Sequence, residues 1–407
     1  MIQFLCQNFR WIAGGFLLTF FSSFGQTFFV SGASSEWRET FGLTDGQFGT
    51  LYMVATLCSA LSLPFIGRLV DVWPEHRVIM LTVPILAAAC LLAAYAPNVL
   101  ALGIGIYLLR LFGQGMMTHI ALTATGRWFA AQRGRATSLV VLGHQGGEAI
   151  LPSLYVAISL AAGWQMAWVA GSAALLLIAL PFAVLAFRVP RTPRGHAPTV
   201  ESGVRDWTRA EVLRDPIFWV LLMGVLAPPF IGTTIFFHQD YMSELRGWPP
   251  TLFATSFTAM AMTTVVFALI CGALIDRFGA KRILPFFLVP LSGACFAASA
   301  IESAAGLYLF MVMLGVSYGF SSTLFGSLWP EIYGTRHLGA IRSVMMPFMV
   351  FATAAGPGIT GTLIDRGISL PTQLFAMGSY CVGAAGIMVL ASLALQRRTA
   401  AEAAVEL

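Results

Sequence analysis

Twelve stretches of this chain, each close to twenty residues or longer and nearly free of charge, limit its architecture more than any other feature. They cover 11–33, 45–66, 78–95, 98–126, 136–160, 165–187, 215–237, 250–275, 283–301, 306–329, 340–364 and 373–396. About 20 apolar residues in a helix cross the roughly 30 Å hydrocarbon core of a bilayer. Inside that core every backbone polar group must find a partner within the protein, so only helices and closed barrels span it. Barrel strands would alternate apolar and polar residues, whereas 170–189 and 283–301 are apolar on all sides. The expected fold is therefore all-α and integral to the membrane. Composition agrees: 57% of the 407 residues are hydrophobic and 10% are charged, against roughly 25% charged in soluble domains. The apolar run 11–30 is too long for the core of a cleavable signal and reads as a retained first helix. Five of the six cysteines lie in apolar segments without metal-ligand spacing and read as small core hydrophobes.

Charge placement sets the expected topology. With the N-terminus in the cytoplasm, 19 of the 23 basic residues fall on the cytoplasmic side. Arg38, Arg246 and Arg366 fall opposite, and Arg110 falls inside a span. The positive-inside rule then places both termini in the cytoplasm, in a cell (inner) membrane. The basic excess is a topology signal, and nucleic acid is not an expected partner.

The longest polar stretch, 188–214, is rich in Arg and Pro and divides the spans six and six. The expected units are a first bundle at 1–187, a linker at 188–214, a second bundle at 215–396 and a tail at 397–407. The halves repeat. Gly67-Arg-Leu-Val-Asp71 recurs as Gly272-Ala-Leu-Ile-Asp276, 205 positions later. Gly134 and Ser138 recur as Gly339 and Ser343, and Pro152 as Pro357, at the same offset of 205. Three separated landmarks in one register indicate duplication.

The fuller second copy runs Gly272-Ala-Leu274-Ile-Asp276-Arg277-Phe-Gly279-Ala-Lys281-Arg282. It resembles the GxLxDRxGxKR loop of the major facilitator superfamily. That resemblance implies two pseudo-symmetric six-helix bundles and transport by alternating access. It also implies that Asp71, Asp276, Arg277 and Arg282 bias the conformational equilibrium through ionic contacts between helix ends. The first copy departs from it, with Val72 and Pro74 in place of Arg277 and Gly279. Trp128-Phe129 followed by Arg133-Gly-Arg135, and His238 with Tyr241 before Gly247, are similar to segments of monocarboxylate and oxalate–formate type carriers. The basic residue that such carriers hold in the eighth helix is absent from 250–275.

Ionisable residues deep in a membrane are functional hypotheses by default. Arg110 and Glu148 sit about 25 and 20 Å from the cytoplasmic end of their helices at 1.5 Å per residue. As the one oppositely charged pair near the midplane, they leave three readings of Glu148 open: proton coupling, an ion pair with Arg110, or substrate contact. His144 precedes Glu148 by four residues and shares its face, so a His–Glu relay and a packing role are both open. Arg110 is the first choice for an anionic substrate, with Gln114 on its face. Paired breaks add candidates: Ser22-Ser-Phe-Gly-Gln26-Thr27 in the first span and Ala227-Pro-Pro-Phe-Ile-Gly232 in the seventh. Gln26 and Thr27 flank the first break, Thr233 and Thr234 follow the second, and Tyr318, Ser321 and Ser322 decorate the tenth span.

The chain carries no HExxH, GxSxG or nucleotide-binding GxxxxGK motif. No enzyme activity, cofactor or metal is expected. The expected function is a monomeric secondary active carrier, a proton-coupled symporter for a small organic anion such as a monocarboxylate. The alternative is a proton antiporter exporting small amphipathic compounds.

Overall fold

The computed structural model describes residues 2–129, 132–189, 205–334 and 337–405. The side chains of 2, 3, 133, 338–340, 342, 343 and 399–405 fall outside that description. Linker residues 190–204, the landmarks Gly339 and Ser343, and the side chains of Arg133, Arg336 and Arg342 therefore lie outside the described residues. Among the described residues there is no strand. The helices are α1 Ile2–Phe21, α2 Thr27–Val30, α3 Ser34–Phe41, α4 Asp45–Ile66, α5 Leu69–Val72, α6 Glu75–Ala94 and α7 Val99–Leu108. They continue as α8 Thr118–Trp128, α9 Arg133–Ala162, α10 Trp164–Ala174, α11 Leu180–Phe187, α12 Arg209–Arg214, α13 Pro216–Val225 and α14 Ala227–Phe237. The last are α15 Gln239–Arg246, α16 Pro250–Phe278, α17 Ala280–Ile283, α18 Leu288–Ala300, α19 Ala304–Tyr333, α20 Leu338–Asp365 and α21 Leu370–Val405.

Ten helical segments among the described residues are long and apolar enough to cross a bilayer, and the bent pair Phe4–Gly25 with Thr27–Phe41 makes an eleventh. The fifth expected span is present as α9, 30 residues long. It is less apolar than the others because Arg135, His144, Gln145 and Glu148 interrupt it.

The chain forms two compact units. Unit 1 holds Met1–Thr199, Phe236–Phe257 and Pro357–Thr362; unit 2 holds Val200–Ile235, Thr258–Gly356 and Leu363–Leu407. The units thus cut across the two sequence halves, since α15 and both flanking helix ends group with unit 1. In unit 1, α1 runs along α9, and α6 packs on α10 and α11. The Phe29 ring meets Phe24, Tyr155 and Trp168, and Trp168 meets Trp37, in edge and tilted contacts at 4.8–5.5 Å between centroids. In unit 2, α18 packs against both α19 and α21. There Asp215 caps α13, its carboxylate accepting from Ile217 N–H at 3.1 Å, and Pro216 fills the first helical position. The same carboxylate takes the Arg398 guanidinium at 2.8 Å and the Tyr333 hydroxyl at 3.0 Å. Arg398 in turn stacks over Trp207, 3.9 Å from the ring centroid. The end of the linker and the last helix are therefore fastened to α13 and α19 by one buried acid.

The fourth span does not run as a regular helix. Between α7 and α8 it widens into a π-helical stretch, Leu109–Met117. Such stretches often mark functional positions. The first span breaks at the same level: α1 tightens into a 3₁₀ turn at Ser22–Gly25, and Gln26 is extended at φ −84°, ψ 152°. The two irregular segments touch backbone to backbone. A methyl group on Gly113 would lie 2.7 Å from the Gly25 Cα, and one on Gly25 would overlap the Leu109 carbonyl. Gly25→Ala is therefore expected to destabilise by about 1–3 kcal/mol, the usual cost of overpacking. Gly383→Ala, in open space on α21, should leave the melting temperature nearly unchanged. Thermal unfolding of both variants in detergent reads the difference.

Candidate functional site

A helix that breaks inside a bilayer must hand its freed backbone groups to other partners. In unit 1 the partner is Arg110, in the first turn of the π-helical stretch. Its Nη1 donates to the Gly25 carbonyl at 3.0 Å and to the Thr27 hydroxyl at 3.3 Å. The Thr27 hydroxyl also lies 2.8 Å from the Tyr52 hydroxyl on α4. The guanidinium sits over the Tyr52 ring, 5.3 Å from its centroid. Arg110 is 2% exposed, and its Nε has no hydrogen-bond partner. Every partner of this buried cation is neutral.

Sequence reasoning selected Arg110, Thr27 and Gln26, and the structure brings them to one break. It missed Tyr52. A tyrosine in an apolar span reads as filler, and only the fold puts its ring beneath the guanidinium and between Arg110 and Phe237, whose ring centroid is 4.7 Å away. Gln114 is partly buried in the same π-helical stretch. Its backbone N, rather than its amide, makes the close approach, since it is 2.6 Å from where a Gly25 methyl would stand.

Glu148 is 4% exposed on α9, but among the described residues no ion pair joins it to Arg110. The ion-pair reading of these two residues is therefore corrected: the guanidinium is spent on the break in the first span, on the Gly25 carbonyl and Thr27. Of the two roles left open for His144, a relay with Glu148 and packing, the contacts favour packing. The His144 ring packs edge-on against Phe28 at 6.0 Å. Glu148 is left as a buried carboxyl among neutral groups.

The second break, in unit 2, repeats the first as scaffold. Thr233 donates its hydroxyl to the Pro229 carbonyl at 2.6 Å, the common back-bond of a helical threonine to the carbonyl four residues earlier. Gly232 is pressed against Tyr318, whose hydroxyl fills the space where a methyl would stand. Tyr318 thus meets the seventh-span break from α19, as the fourth span meets the first. Thr234 and Ser321 are buried with hydroxyls that have no partner, and Ser322 bonds within its own helix to Gly319 O at 3.0 Å. No cation accompanies them.

The two signature loops differ in how they are held. In unit 1 Asp71 pairs with Arg127, at the end of α8, and Arg127 also donates to Val70 O at 2.9 Å. In unit 2 Asp276 and Arg282 are exposed, and Arg277 stacks over the Phe278 ring at 5.2 Å. Among the described residues none of these three forms an ion pair. The group that grips this loop is Glu331 on α19, which accepts from Ala280 N–H at 2.6 Å and Lys281 N–H at 3.3 Å. Sequence reasoning missed it; an acid at a span end, just before the helix-terminating Gly334 at φ 78°, was the available signal.

The turn after α14 is a second polar focus of unit 1. His238 is buried where the turn begins and Gly247 closes α15 at φ 64°, so both residues of that resemblance mark a real turn. Asp240 accepts from the Ser34 hydroxyl at 2.6 Å and the Ser35 N–H at 3.3 Å. Ser31 donates to the Phe236 carbonyl at 2.6 Å.

Comparison with known proteins gives four findings. The sequence pattern of the Major Facilitator Superfamily matches residues 15–357. The chain is 25% identical over 406 residues to the probable sulfoacetate transporter SauU of Cupriavidus necator, covering 94% of this chain and 92% of that protein. It is 22% identical to the oxalate:formate antiporter of Oxalobacter formigenes over 348 residues, 81% of each. In fold it is similar to a bacterial homologue of the human lysosomal transporter Spinster, solved inward-facing and unoccupied. That TM-score is 0.73 at 17% identity, covering 95% of this chain and 97% of that one.

Asp240 lies beyond the last residue of the span that ends in α14. Burial pushes its carboxyl from 3.8 up to about 6, against the donors from Ser34 and Ser35. The folded chain therefore keeps this proton at pH values where the unfolded chain has lost it. The group's contribution to stability is full below about 3.8 and is lost as pH rises through about 6. The melting-temperature advantage of wild type over Asp240→Asn should shrink between pH 4 and 6.5 and then level off. A gap that does not change with pH would show that Asp240 titrates as an ordinary carboxyl.

Proposed function

The chain belongs to the major facilitator superfamily, and on that premise we propose that this multi-pass membrane transporter is a proton-coupled carrier of a small organic anion. One observation carries the reading: Arg110 is buried at a helix break with neutral partners only, two oxygen acceptors and an aromatic face. A buried cation without a counter-ion is costly. A carboxylate or sulfonate arriving beside it supplies the missing charge, and the open Nε is a donor ready for it. The two relatives with named cargo are named for sulfoacetate and for oxalate and formate, all small organic anions.

Glu148 is the coupling group in this proposal. It is buried on α9 without a charged partner, and it would exchange the coupled proton as a cavity opens to it and closes. Gln26 and Thr27 would contact the anion beside Arg110 in unit 1; Thr233, Tyr318 and Ser321 are the candidate substrate ligands of unit 2. Asp71, Asp276, Arg277 and Arg282 would weight the conformational equilibrium, with Arg127 and Glu331 as their immediate supports. The arginine-rich ends of the spans support an orientation with both termini in the cytoplasm.

Proteoliposomes test the reading. Arg110→Ala is expected to reduce anion uptake by about 10- to 100-fold, the worth of one or two charge-assisted contacts; uptake equal to wild type overturns the anion site. Glu148→Gln is expected to abolish accumulation driven by a pH gradient while exchange of external for internal anion continues. Gradient-driven accumulation that survives in Glu148→Gln removes the proton from the mechanism and leaves anion exchange.

A further inference from the structure

A cavity of about 530 Å³ lies in unit 1, and neither Arg110 nor Glu148 lines it. Its walls come from the α2–α3 segment, the end of α9, the start of α10, α15 and the start of α16. This is within the 300–1,000 Å³ range of small-molecule sites. Three carboxylates line it, Glu36, Asp240 and Glu244, and neither Lys nor Arg does. Of the nearby cations, Arg38 pairs with Asp45 at 2.8 Å and also acts on Asp240, and Arg246 lies over the Trp248 ring at 5.9 Å. Asp240 is fixed in place by Ser34 and Ser35, and the Ser35 hydroxyl reaches Glu244 at 3.4 Å. Glu36 forms no ion pair among the described residues.

Aromatic rings complete the walls. Tyr155, Trp164 and Trp248 all line the cavity. Carboxylates beside aromatic faces are the chemistry that holds an organic ammonium group, through Coulomb attraction and the ring quadrupoles together. A second, independent observation also points to a ligand here. Tyr155 is 4% exposed, and its hydroxyl and that of Ser159, one turn along α9 and also lining the cavity, reach toward each other and the Trp168 indole without completing a hydrogen bond of good geometry. Buried hydroxyls normally find partners. At the other rim the lining is apolar, and Leu160 is 72% exposed, so a hydrocarbon tail has a way out along α9.

We propose that this cavity binds the ammonium group of a cationic or zwitterionic amphiphile, with the ammonium among Glu36, Asp240 and Glu244 and the tail leaving past Leu160. The site is separate from the anion site and does not depend on it. The shared chemistry has two possible sources, an aminophospholipid headgroup and a free long-chain amine.

The test uses the full-length protein in detergent. Native mass spectrometry and thermal shift are read with decylammonium chloride, phosphatidylethanolamine and phosphatidylglycerol as probes. Wild type is expected to retain at least one ammonium probe and to prefer phosphatidylethanolamine to phosphatidylglycerol when lipids are compared. Retention of the lipid alone identifies a headgroup site, and retention of decylammonium alone identifies a free-amine site. The double variant E36Q/E244Q is expected to bind the retained probe at least about 10-fold more weakly, for two lost charge-assisted contacts. Its anion uptake, assigned to Arg110, should persist and report that the chain is folded. Wild type that retains neither ammonium probe, or binding unchanged in the double variant, overturns the proposal. Loss of anion uptake in Arg110→Ala with ammonium binding intact would leave this site standing whatever became of the other.

Discussion

The hydrogen bond from Arg110 to the Gly25 carbonyl closes the break in the first span. A kinked helix in hydrocarbon leaves acceptors that water cannot reach, and each would cost several kcal/mol unpaired. Arg110 can take this one because the π-helical stretch lets its own helix press against the kink, and that approach is possible because Gly25 and Gly113 carry no side chains there. Thr27 and Tyr52 then form the rest of the cradle. Remove Arg110 and the Gly25 carbonyl is left alone; remove Thr27 or Tyr52 and the guanidinium loses one of its neutral partners. The arrangement explains how one cation can be kept buried without a carboxylate beside it.

That arrangement also accounts for the asymmetry between the copies. The seventh-span break is filled by Tyr318 against Gly232. Two prolines set that kink through their own fixed φ. The first break has no proline, so its irregularity has to be held from outside, by a charged donor on another helix. Duplication preserved the position of the break, and the two copies diverged in what holds it.

Much of this was legible in the chain. Long uncharged segments can be nothing but membrane spans, and a 205-residue offset places their breaks in pairs. Arg110 and Glu148 stand out because charge in hydrocarbon is expensive. Pairing was not legible. Similar depth on neighbouring helices suggested that Arg110 and Glu148 would meet, but depth says nothing of azimuth, and a backbone carbonyl exposed by a kink has no signature in side-chain chemistry. Four-residue spacing put His144 and Glu148 on one face correctly, yet a shared face is not a hydrogen bond; the imidazole turned to Phe28 instead. Tyr52 and Glu331 were missed for the opposite reason, since each looks ordinary in its own segment and acquires a role only from a distant one.

The signature loops show how one motif can be held by different chemistry. Gly279 takes φ 82°, a conformation open to glycine, and so turns α16 into α17 within one residue. Its counterpart at the 205 offset, Pro74, makes the turn extended, at φ −61° and ψ 139°. The glycine turn presents two backbone N–H groups at the start of α17, and Glu331 accepts both. A proline lacks its own N–H, and the first loop is tied by a side-chain ion pair, Asp71 with Arg127, instead. The carboxylate of the motif is therefore engaged in unit 1, while in unit 2 a different acid takes over the loop and Asp276 stays exposed. A helix-end contact that screens readily in salt and a backbone clamp that does not are unlike constraints, so the two loops respond differently to ionic strength.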